Sequence, residues 1–401
     1  MAGIVFSQNL SNSGTAATGA LAFNVACDPT GKFVYVTNQG DNTVQAYTIN
    51  ATTGALTSVG TAATGTWPYG VACDPTGKFV CVANVVSNTV QAYTINAITG
   101  ALTLAGWAST GTNPYGVACD PTGKFVYVAN SGSNTVQAYT INAITAALIP
   151  AGTAATGLAP IAVACDPTGK FVYVANGNSH TVQAYKINAV TGALTSAGAV
   201  ATGTSPTRVA CDPTGKFVYV TNTNSYTVQA YTINASTGAL TSVGTAATDS
   251  NPAGVACDPT GKFVYVTNNS SSGTIQAYKI NASTGALTSV ETLAAGSAPY
   301  AVACDPTGKF VYVANLSNTI FSYYANLVYY QISQSRVFNL PVITRNTRVG
   351  FRNFNFDALS NYKPISPPIS GAIKTIANAT IRPYTLITKL YYWLETKSFW
   401  G

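Results

Sequence analysis

A short segment that recurs seven times sets the strongest constraint on how this chain can fold. Its first copy reads Val-Ala-Cys-Asp-Pro-Thr-Gly-Lys-Phe-Val-Tyr-Val-Thr-Asn and runs from Val25 to Asn38. The cysteines of the copies are spaced by 46 residues in five steps and by 47 in the sixth, at Cys27, Cys73, Cys119, Cys165, Cys211, Cys257 and Cys304. A period of this length is typical of solenoids, propellers and arrays, in which each repeat is one supersecondary unit.

Each repeat has the strand and turn pattern of a four-stranded blade. In the second repeat, strands over Tyr69–Cys73 and Phe79–Ala83 flank an Asp-Pro-Thr-Gly turn, where proline presets φ and glycine accepts positive φ. A third strand over Thr89–Ile95 and a fourth over Leu102–Ser109 are joined by a second turn that carries Gly100. Seven such units predict an all-β fold, a seven-bladed β-propeller of antiparallel blades, over residues 1–325.

The two ends of the repeat region are predicted to share one blade. The seventh repeat has three strands and loses the pattern after Tyr323, so it lacks a fourth strand of its own. The segment from Leu10 to Gly19 is similar to the fourth strand of the first repeat, from Leu56 to Gly65. We therefore expect the N-terminal segment to close the ring, which would remove two exposed sheet edges.

These motifs resemble those of a known family. Tyr-Val-Thr-Asn at Tyr35–Asn38, the Asp-Pro-Thr-Gly turn and Thr-Gly-Ala-Leu at Thr53–Leu56 resemble the repeats of Tyr-Val-Thr-Asn propellers. They are most similar to the seven-bladed lactonase family that includes 6-phosphogluconolactonases. The resemblance covers residues 1–325 and implies the propeller fold. For activity it implies a lactonase-type hydrolase, but non-enzymatic relatives share the same turn and strand motifs, and no catalytic residue of the family is matched to a position here.

Residues 326–401 form a tail without repeats that differs from the propeller in charge. Ten basic and ten acidic residues balance each other through Ala325, whereas nine basic and two acidic residues in the tail account for the net charge of +7. The tail is also rich in aromatic residues, and a basic aromatic arm suits a nucleic-acid or membrane surface. An extra docked structure, or a segment of foreign origin that packs loosely, explains the same composition. No nucleic-acid partner is expected for the propeller.

The eight cysteines are expected to be reduced, buried thiols. Seven occupy equivalent positions in seven blades, too far apart for the Cα separation of under about 7 Å that a disulfide needs. Cys81 replaces the tyrosine of its repeat. Free thiols favour a reducing compartment, and the N-terminus lacks a basic, apolar leader, so a cytoplasmic location is expected, with an extracellular one left open. No transmembrane segment is expected, because no run of 18 apolar residues occurs.

Variation among the copies is concentrated at one end of the predicted blades. The Asp-Pro-Thr-Gly-Lys and Asn-Ala-x-Thr-Gly turns barely change, whereas the crossings between blades and the loops between second and third strands differ. A ligand site is expected on this variable face, although drift of surface loops explains the same pattern. Arg208, the only propeller arginine, occupies a crossing position held elsewhere by Gly, Ala or Asn. It could anchor a phosphate or carboxylate, or be a solvated surface residue.

Further candidates lie on the same predicted face. His180 is the only histidine and precedes the third strand of the fourth blade, so it could act as a base beside Arg208, or be a loop histidine without a task. An aromatic ligand-binding rim is predicted at the crossings, with Tyr69, Tyr115 and Tyr300 together with Trp67 and Asn113 as candidates. The alternative is that these side chains only pack against their neighbours.

No metal or cofactor is expected. Each repeated aspartate is predicted to accept the backbone N–H two residues ahead, because one carboxylate per blade cannot converge on one ion.

Three functions remain open from sequence. The preferred hypothesis is a monomeric propeller that binds a small molecule (a sugar lactone or glycan) or a protein on its variable face. It is preferred because near-identical copies supply few of the different groups that catalysis needs. The first alternative is a lactonase that hydrolyses a phosphorylated sugar lactone with Arg208 and His180. The second is a surface or adhesive repeat protein, suggested by the low charged fraction of 8%.

Overall fold

The computed structural model describes the backbone of residues 3–332 and the side chains of residues 10–325. The chain divides into two units, one of Leu10–Ala325 and one of residues 1–9 with 326–401. The described strands form seven four-stranded antiparallel sheets, which confirms the seven-bladed propeller. The predicted properties of the tail beyond residue 332 lie outside the described residues.

Strands with the same place in each blade have similar lengths. The innermost strands are β2 (Ala22–Cys27), β6 (Pro68–Cys73), β10 (Pro114–Cys119), β14 (Pro160–Cys165), β18 (Pro206–Cys211), β22 (Pro252–Cys257) and β26 (Pro299–Cys304). The second strands are β3 (Phe33–Asn38), β7 (Phe79–Asn84), β11 (Phe125–Asn130), β15 (Phe171–Asn176), β19 (Phe217–Asn222), β23 (Phe263–Asn268) and β27 (Phe310–Asn315). The third strands are β4 (Thr43–Ile49), β8 (Thr89–Ile95), β12 (Thr135–Ile141), β16 (Thr181–Ile187), β20 (Thr227–Ile233), β24 (Gly273–Ile280) and β28 (Thr319–Ile332). The outermost strands are β5 (Leu56–Ala63), β9 (Leu102–Ser109), β13 (Leu148–Ala155), β17 (Leu194–Ala201), β21 (Leu240–Ala247), β25 (Leu287–Gly296) and β1 (Gly3–Ala17).

The residue pattern of each strand explains its depth in the blade. The second strands are continuous apolar runs, and all six residues of β3 are buried because neighbouring blades cover both faces. The third strands alternate, and the outermost strands keep most of their side chains half-buried or exposed. The innermost strand of blade 2 begins at Pro68, one residue before the predicted start, because Pro68 already pairs with Asn84.

The hydrophobic core consists of layers between neighbouring blades. Between blades 1 and 2, for example, Phe33, Tyr35 and Val44 pack against Val71 and Tyr93. At this junction two tyrosine hydroxyls add hydrogen bonds across the layer. Tyr35 donates to the carbonyl oxygen of Gly100 at 3.1 Å, and Tyr93 donates to that of Ala63 at 2.7 Å. Burying a tyrosine in this way satisfies its polar end while its ring fills the core.

The propeller has two unlike faces. The turn face carries the turns between first and second strands and between third and fourth strands; the loop face carries the crossings between blades and the loops between second and third strands. On the turn face, Asp28 accepts the N–H groups of Thr30 at 3.1 Å and Phe33 at 2.7 Å. The other six repeated aspartates make the same two contacts, which confirms the predicted hydrogen bond to the residue two ahead.

The N-terminal strand completes the seventh blade, as predicted. Its sheet has the order β1–β28–β27–β26, so β1 supplies the missing outermost strand. Leu21 donates its N–H to Asn318 Oδ1 at 2.8 Å, and Tyr47 of blade 1 donates its hydroxyl to the Ala17 carbonyl oxygen at 2.6 Å. The strand is therefore bonded to the last blade and to the first.

All eight cysteines are free thiols. Within the described residues, no helix is long and apolar enough to cross a membrane.

Candidate functional site

The candidate site lies where the innermost strands enter the centre of the ring from the loop face. The innermost strands of neighbouring blades contact one another, so the side chains at their first positions meet around the axis. The crossing positions follow the opening residue of each strand; in blade 5 they are Thr207 and Arg208, and in blade 2 they are Tyr69 and Gly70. The sequence variation concentrated at these positions therefore faces one shared space.

An aromatic cluster occupies this space. The ring centroids of Phe23 and Tyr300 are 4.4 Å apart, those of Phe23 and Tyr69 are 4.6 Å apart, and those of Tyr69 and Tyr115 are 4.6 Å apart. These four rings come from blades 7, 1, 2 and 3, which are consecutive around the ring. The structure thus brings the three predicted tyrosines together. It adds Phe23, which sequence reasoning did not select although it occupies the same crossing position.

Arg208 reaches this cluster from the opposite side of the ring. Its Nη1 donates to the Tyr69 hydroxyl oxygen and to the Thr207 carbonyl oxygen, both at 3.1 Å. Its guanidinium carbon lies 4.9 Å from the ring centroid of Tyr69 and 5.1 Å from that of Tyr300, which are cation–π distances. The two tyrosine hydroxyl oxygens are 2.6 Å apart. Guanidinium and two phenols therefore form one connected polar group.

Backbone contacts limit which blades can carry a side chain at the position of Arg208. At the same position in blades 2 and 3, a Cβ on Gly70 would lie 2.5 Å from the Tyr115 carbonyl oxygen, and one on Gly116 would lie 2.9 Å from the Ile161 carbonyl oxygen. In blades 5 and 6 the preceding crossing residues are the small Thr207 and Ala253. Blades 2 and 3 therefore have no room for a side chain at this position, whereas the partners of Arg208 come from the aromatic side of the ring.

The electrostatics of this group favour an anion. Burial acts to lower the pKa of Arg208, but interactions with Tyr69 and Tyr300 outweigh it, and the net pKa is raised. Burial raises the pKa of Tyr300 well above its usual range and also raises that of Tyr115, so both phenols stay neutral donors. Nη2 of Arg208 is buried and has no hydrogen-bond partner among the described residues. A buried guanidinium with a free donor can bind a phosphate or carboxylate.

His180 lies apart from this polar group, in an exposed position before β16. Its backbone has φ of 53°, and its Nδ1 accepts the N–H of Ser205 at 3.1 Å. In blade 1 the equivalent Asn42 has the same φ and accepts the N–H of Trp67 at 2.9 Å. His180 therefore performs the backbone-bonding role of the repeat asparagine. Among the described side chains, no hydrogen bond joins His180 to Arg208.

Trp67 and Asn113 do not join the aromatic cluster. Both precede the proline that opens an innermost strand, and both have positive φ, 59° and 52°. Trp67 is 52% exposed, and Asn113 is also exposed. These two predicted ligand-binding residues lie on the surface of the loop face, where they can contact a ligand only from outside the cluster.

A separate cavity opens at the turn face. It has a volume of about 370 Å³ and is lined only by the cysteines, aspartates and prolines of the repeated turns. Burial raises the pKa of the seven repeated thiols, and nearby aspartates add to the effect; for Cys119 a hydrogen bond to Cys81 contributes most. The described residues contain no group of three or more side chains arranged to hold a metal ion.

Solved structures with this architecture include three described as lactonases. Putative 6-phosphogluconolactonases from Bacteroides fragilis and Bacteroides uniformis are 23% and 20% identical, with a TM-score of 0.63 each; the matches cover 69% and 77% of this chain and 85% and 92% of theirs. The periplasmic gluconolactonase of Pseudomonas aeruginosa is 18% identical, with 81% and 93% covered and a TM-score of 0.63. No curated protein matches the chain.

The family comparison covers nearly the whole described chain. The model of the lactonase family described as a seven-bladed β-propeller matches residues 7–118, 107–211, 147–255 and 241–328. These segments overlap and together extend over all seven blades. The chain belongs to the seven-bladed β-propeller lactonase family.

Proposed function

We propose that this protein hydrolyses a sugar lactone that carries a negatively charged group, with Arg208 as the anchor for that group. The observation that carries the proposal is the buried Nη2 of Arg208, which lacks a partner among the described residues. Family membership supports a lactone as the substrate class, and three similar structures have lactonase descriptions. The proposal reverses the order of preference reached from sequence.

Lactone hydrolysis requires the protein to bind the substrate and to stabilise the charge that develops during the reaction. A lactone carbonyl is attacked by water, and the developing oxyanion is stabilised by donors already in place. The Tyr300 hydroxyl can donate to that oxygen, while the guanidinium of Arg208 holds the charged end of the substrate. His180 as a general base stays a prediction, because its Nδ1 already accepts the Ser205 N–H.

The test compares two substrates and three variants of the full chain. The substrates are 6-phosphogluconolactone and unphosphorylated gluconolactone, each corrected for spontaneous hydrolysis. Arg208→Ala introduces the residue that blades 4 and 7 have at this position, Ala162 and Ala301, so the repeat itself shows that the fold accepts alanine there. It should raise KM for the phosphorylated substrate at least about tenfold and leave the neutral one nearly unchanged. Arg208→Lys should recover part of the loss.

Two outcomes would contradict the proposal. Turnover of both substrates that is insensitive to Arg208→Ala would remove the anchor, and no turnover above background would remove the activity. His180→Asn, which installs the residue of the neighbouring copies, separates the two histidine roles. Loss of kcat in this variant, with an unchanged melting temperature, would assign His180 to catalysis.

A second candidate function is binding without turnover on the loop face. The exposed apolar side chains there favour it, since Trp67 is 52%, Leu158 56% and Tyr226 50% exposed. Saturable calorimetric binding of a sugar phosphate or glycan, weakened by Arg208→Ala and without hydrolysis, would support this function over the first.

We also propose the cytoplasm as the location, because all eight thiols are free. Finding the protein in an exported fraction would contradict it.

A further inference from the structure

The charges of the propeller are segregated between its two faces. All nine lysines of the blades lie at the turn face: seven end the Asp-Pro-Thr-Gly-Lys turns, and Lys186 and Lys279 pair with the first residues of β15 and β23. Eight of the nine are exposed, and Lys279 is half-buried. The seven aspartates on the same face are only 1–5% exposed. The turn face therefore presents positive charge to its surroundings.

Blades 2, 3 and 4 each place one almost fully exposed aliphatic side chain on the turn face. Ile98 is 90% exposed, and Ile144 and Val190 are each 87% exposed, at the same position of the turn between third and fourth strands. Blades 1, 5 and 6 have Thr52, Ser236 and Ser283 there. In each turn an asparagine holds the backbone; Asn96 Oδ1 accepts the N–H groups of Ile98 and Thr99, both at 3.0 Å. The aliphatic side chains are thus fixed at the tips of short, rigid turns.

The turns of Ile98 and Val190 pack on the preceding blade, next to the residue that follows its turn lysine. The turn of Val190 rests on blade 3, where Tyr127 donates its hydroxyl to the Gly192 carbonyl oxygen at 3.1 Å. A Cβ on Gly192 would lie 2.4 Å from Phe125 Cδ1, and Phe125 directly follows Lys124. Gly100, in the turn of Ile98, lies equally close to Phe33, which follows Lys32. The backbone therefore places an aliphatic turn near a turn lysine of the blade before it, Lys32 for Ile98 and Lys124 for Val190.

We propose that the turn face of blades 2 to 4 docks on an anionic lipid bilayer. Lysines near such a surface are attracted to its headgroups, and aliphatic side chains beside them gain by entering the interfacial region. A polyanion such as nucleic acid would use the lysines but leave the three aliphatic tips in water. The opposite face, with Arg208, stays open to solvent in this orientation, so docking and ligand binding are compatible.

Vesicle co-sedimentation of the full chain tests the proposal. Binding should require phosphatidylglycerol in phosphatidylcholine vesicles and should weaken with salt. The variant Ile98→Thr/Ile144→Thr/Val190→Thr takes the residue of blade 1 at each tip and should weaken binding at least about tenfold. Lys32→Gln/Lys78→Gln/Lys124→Gln removes the turn lysines of the blades that precede the three tips. It should weaken binding similarly and reduce its salt dependence.

A matched control removes apolar residues from the loop face. The control variant carries the substitutions Leu21→Asn, Val86→Asn and Leu158→Thr. Each one introduces the residue that another blade has at the same position, which is Asn113, Asn178 and Thr66, respectively. This control should bind vesicles like the parent chain. Because residues 326–401 stay in every protein compared, their basic charge cannot produce a difference between variants. The proposal is overturned by absent binding to anionic vesicles, by tip variants that bind like the parent, or by an equal loss in the control.

Discussion

Cys81 and Ala146 are two departures from the repeat that occupy one junction, between blades 2 and 3. At five other junctions a tyrosine hydroxyl donates to the carbonyl oxygen of a turn glycine in the next blade. Cys81 stands at the tyrosine position and Ala146 at the glycine position, and both are fully buried in one cluster with Phe79. A Cβ on the equivalent Gly100 would lie 2.4 Å from Phe33 Cδ1, so we infer that the smaller cysteine lets Phe79 make room for the alanine methyl group.

Ala146→Gly should stabilise the propeller by about 1 kcal/mol, because Ala146 has φ of 59°, where alanine is strained and glycine is not. Gly100→Ala, the same exchange reversed in blade 2, should destabilise more, since its Cβ would lie 2.4 Å from Phe33 Cδ1 with Tyr35 still in place. Urea denaturation of both variants checks the pair. Equal and opposite changes would contradict a special role for Cys81.

Cys81→Tyr should be better tolerated in the Ala146→Gly chain than in the parent. The new hydroxyl would donate to residue 146, as Tyr127 does to Gly192, but Phe79 cannot accommodate both the ring and the alanine methyl group. We expect a coupling free energy of roughly 1 kcal/mol or more in the double-mutant cycle. Additive effects would show that the two departures are independent.

His180→Asn should keep or slightly raise the melting temperature, whereas His180→Ala should lower it. Asparagine tolerates the left-handed φ of 53° and can accept the Ser205 N–H, while alanine leaves that N–H without its acceptor. The expected loss in the alanine variant is about 1 kcal/mol. Thermal melts followed by circular dichroism measure it. A stable alanine variant would mean that water replaces the imidazole without cost.

Glu291 should make stability decline as pH rises through the acidic range. Burial raises the pKa of this carboxyl above its usual 4.5, and the hydrogen bond from the Leu10 N–H, at 2.8 Å, only partly opposes the shift. A raised pKa means that the folded state holds the proton more tightly than the unfolded state. The contribution of Glu291 to stability is therefore fully present below pH 4.5 and is lost as Glu291 ionises above it. Glu291→Gln should remove this part of the pH dependence, measured as the difference between urea midpoints of the two proteins.

Removal of residues 1–19 should lower the melting temperature and expose one edge of blade 7. The deletion takes away the outermost strand of that blade, the buried Leu10 and the bond from Tyr47 to the Ala17 carbonyl oxygen. Amide exchange should accelerate first in β28. An unchanged melting curve would show that the other three strands of blade 7 suffice.

The fold was predictable because its determinants are local and repeated. The Asp-Pro-Thr-Gly turn and the matching segments Leu10–Gly19 and Leu56–Gly65 specify strand order and ring closure without distant information. The site was only partly predictable. Arg208 and Tyr69 are 139 residues apart, and their contact depends on how closely blades 2 and 5 approach each other across the ring, which no local pattern specifies. The sequence held a signal for the role of His180, because it replaces a repeat asparagine, and Asn42, Asn88, Asn134 and Asn318 each accept a crossing N–H at that position.

The N-terminal strand has a consequence for how the protein is made. Leu21 and Asn318 are 297 residues apart, so the first strand leaves the ribosome long before its partner exists. Until the seventh blade is synthesised, one flank of blade 1 and the whole of β1 have no neighbour, and their apolar surface is open to other chains. The last blade packs on β1 and blade 1 only after the entire chain has been synthesised. Ring closure is therefore a late folding step, and it costs the conformational entropy of closing a long loop. When two newly made copies are close together, β1 of one copy can pair with the seventh blade of the other. Ring closure therefore also decides between a monomer and a domain-swapped dimer.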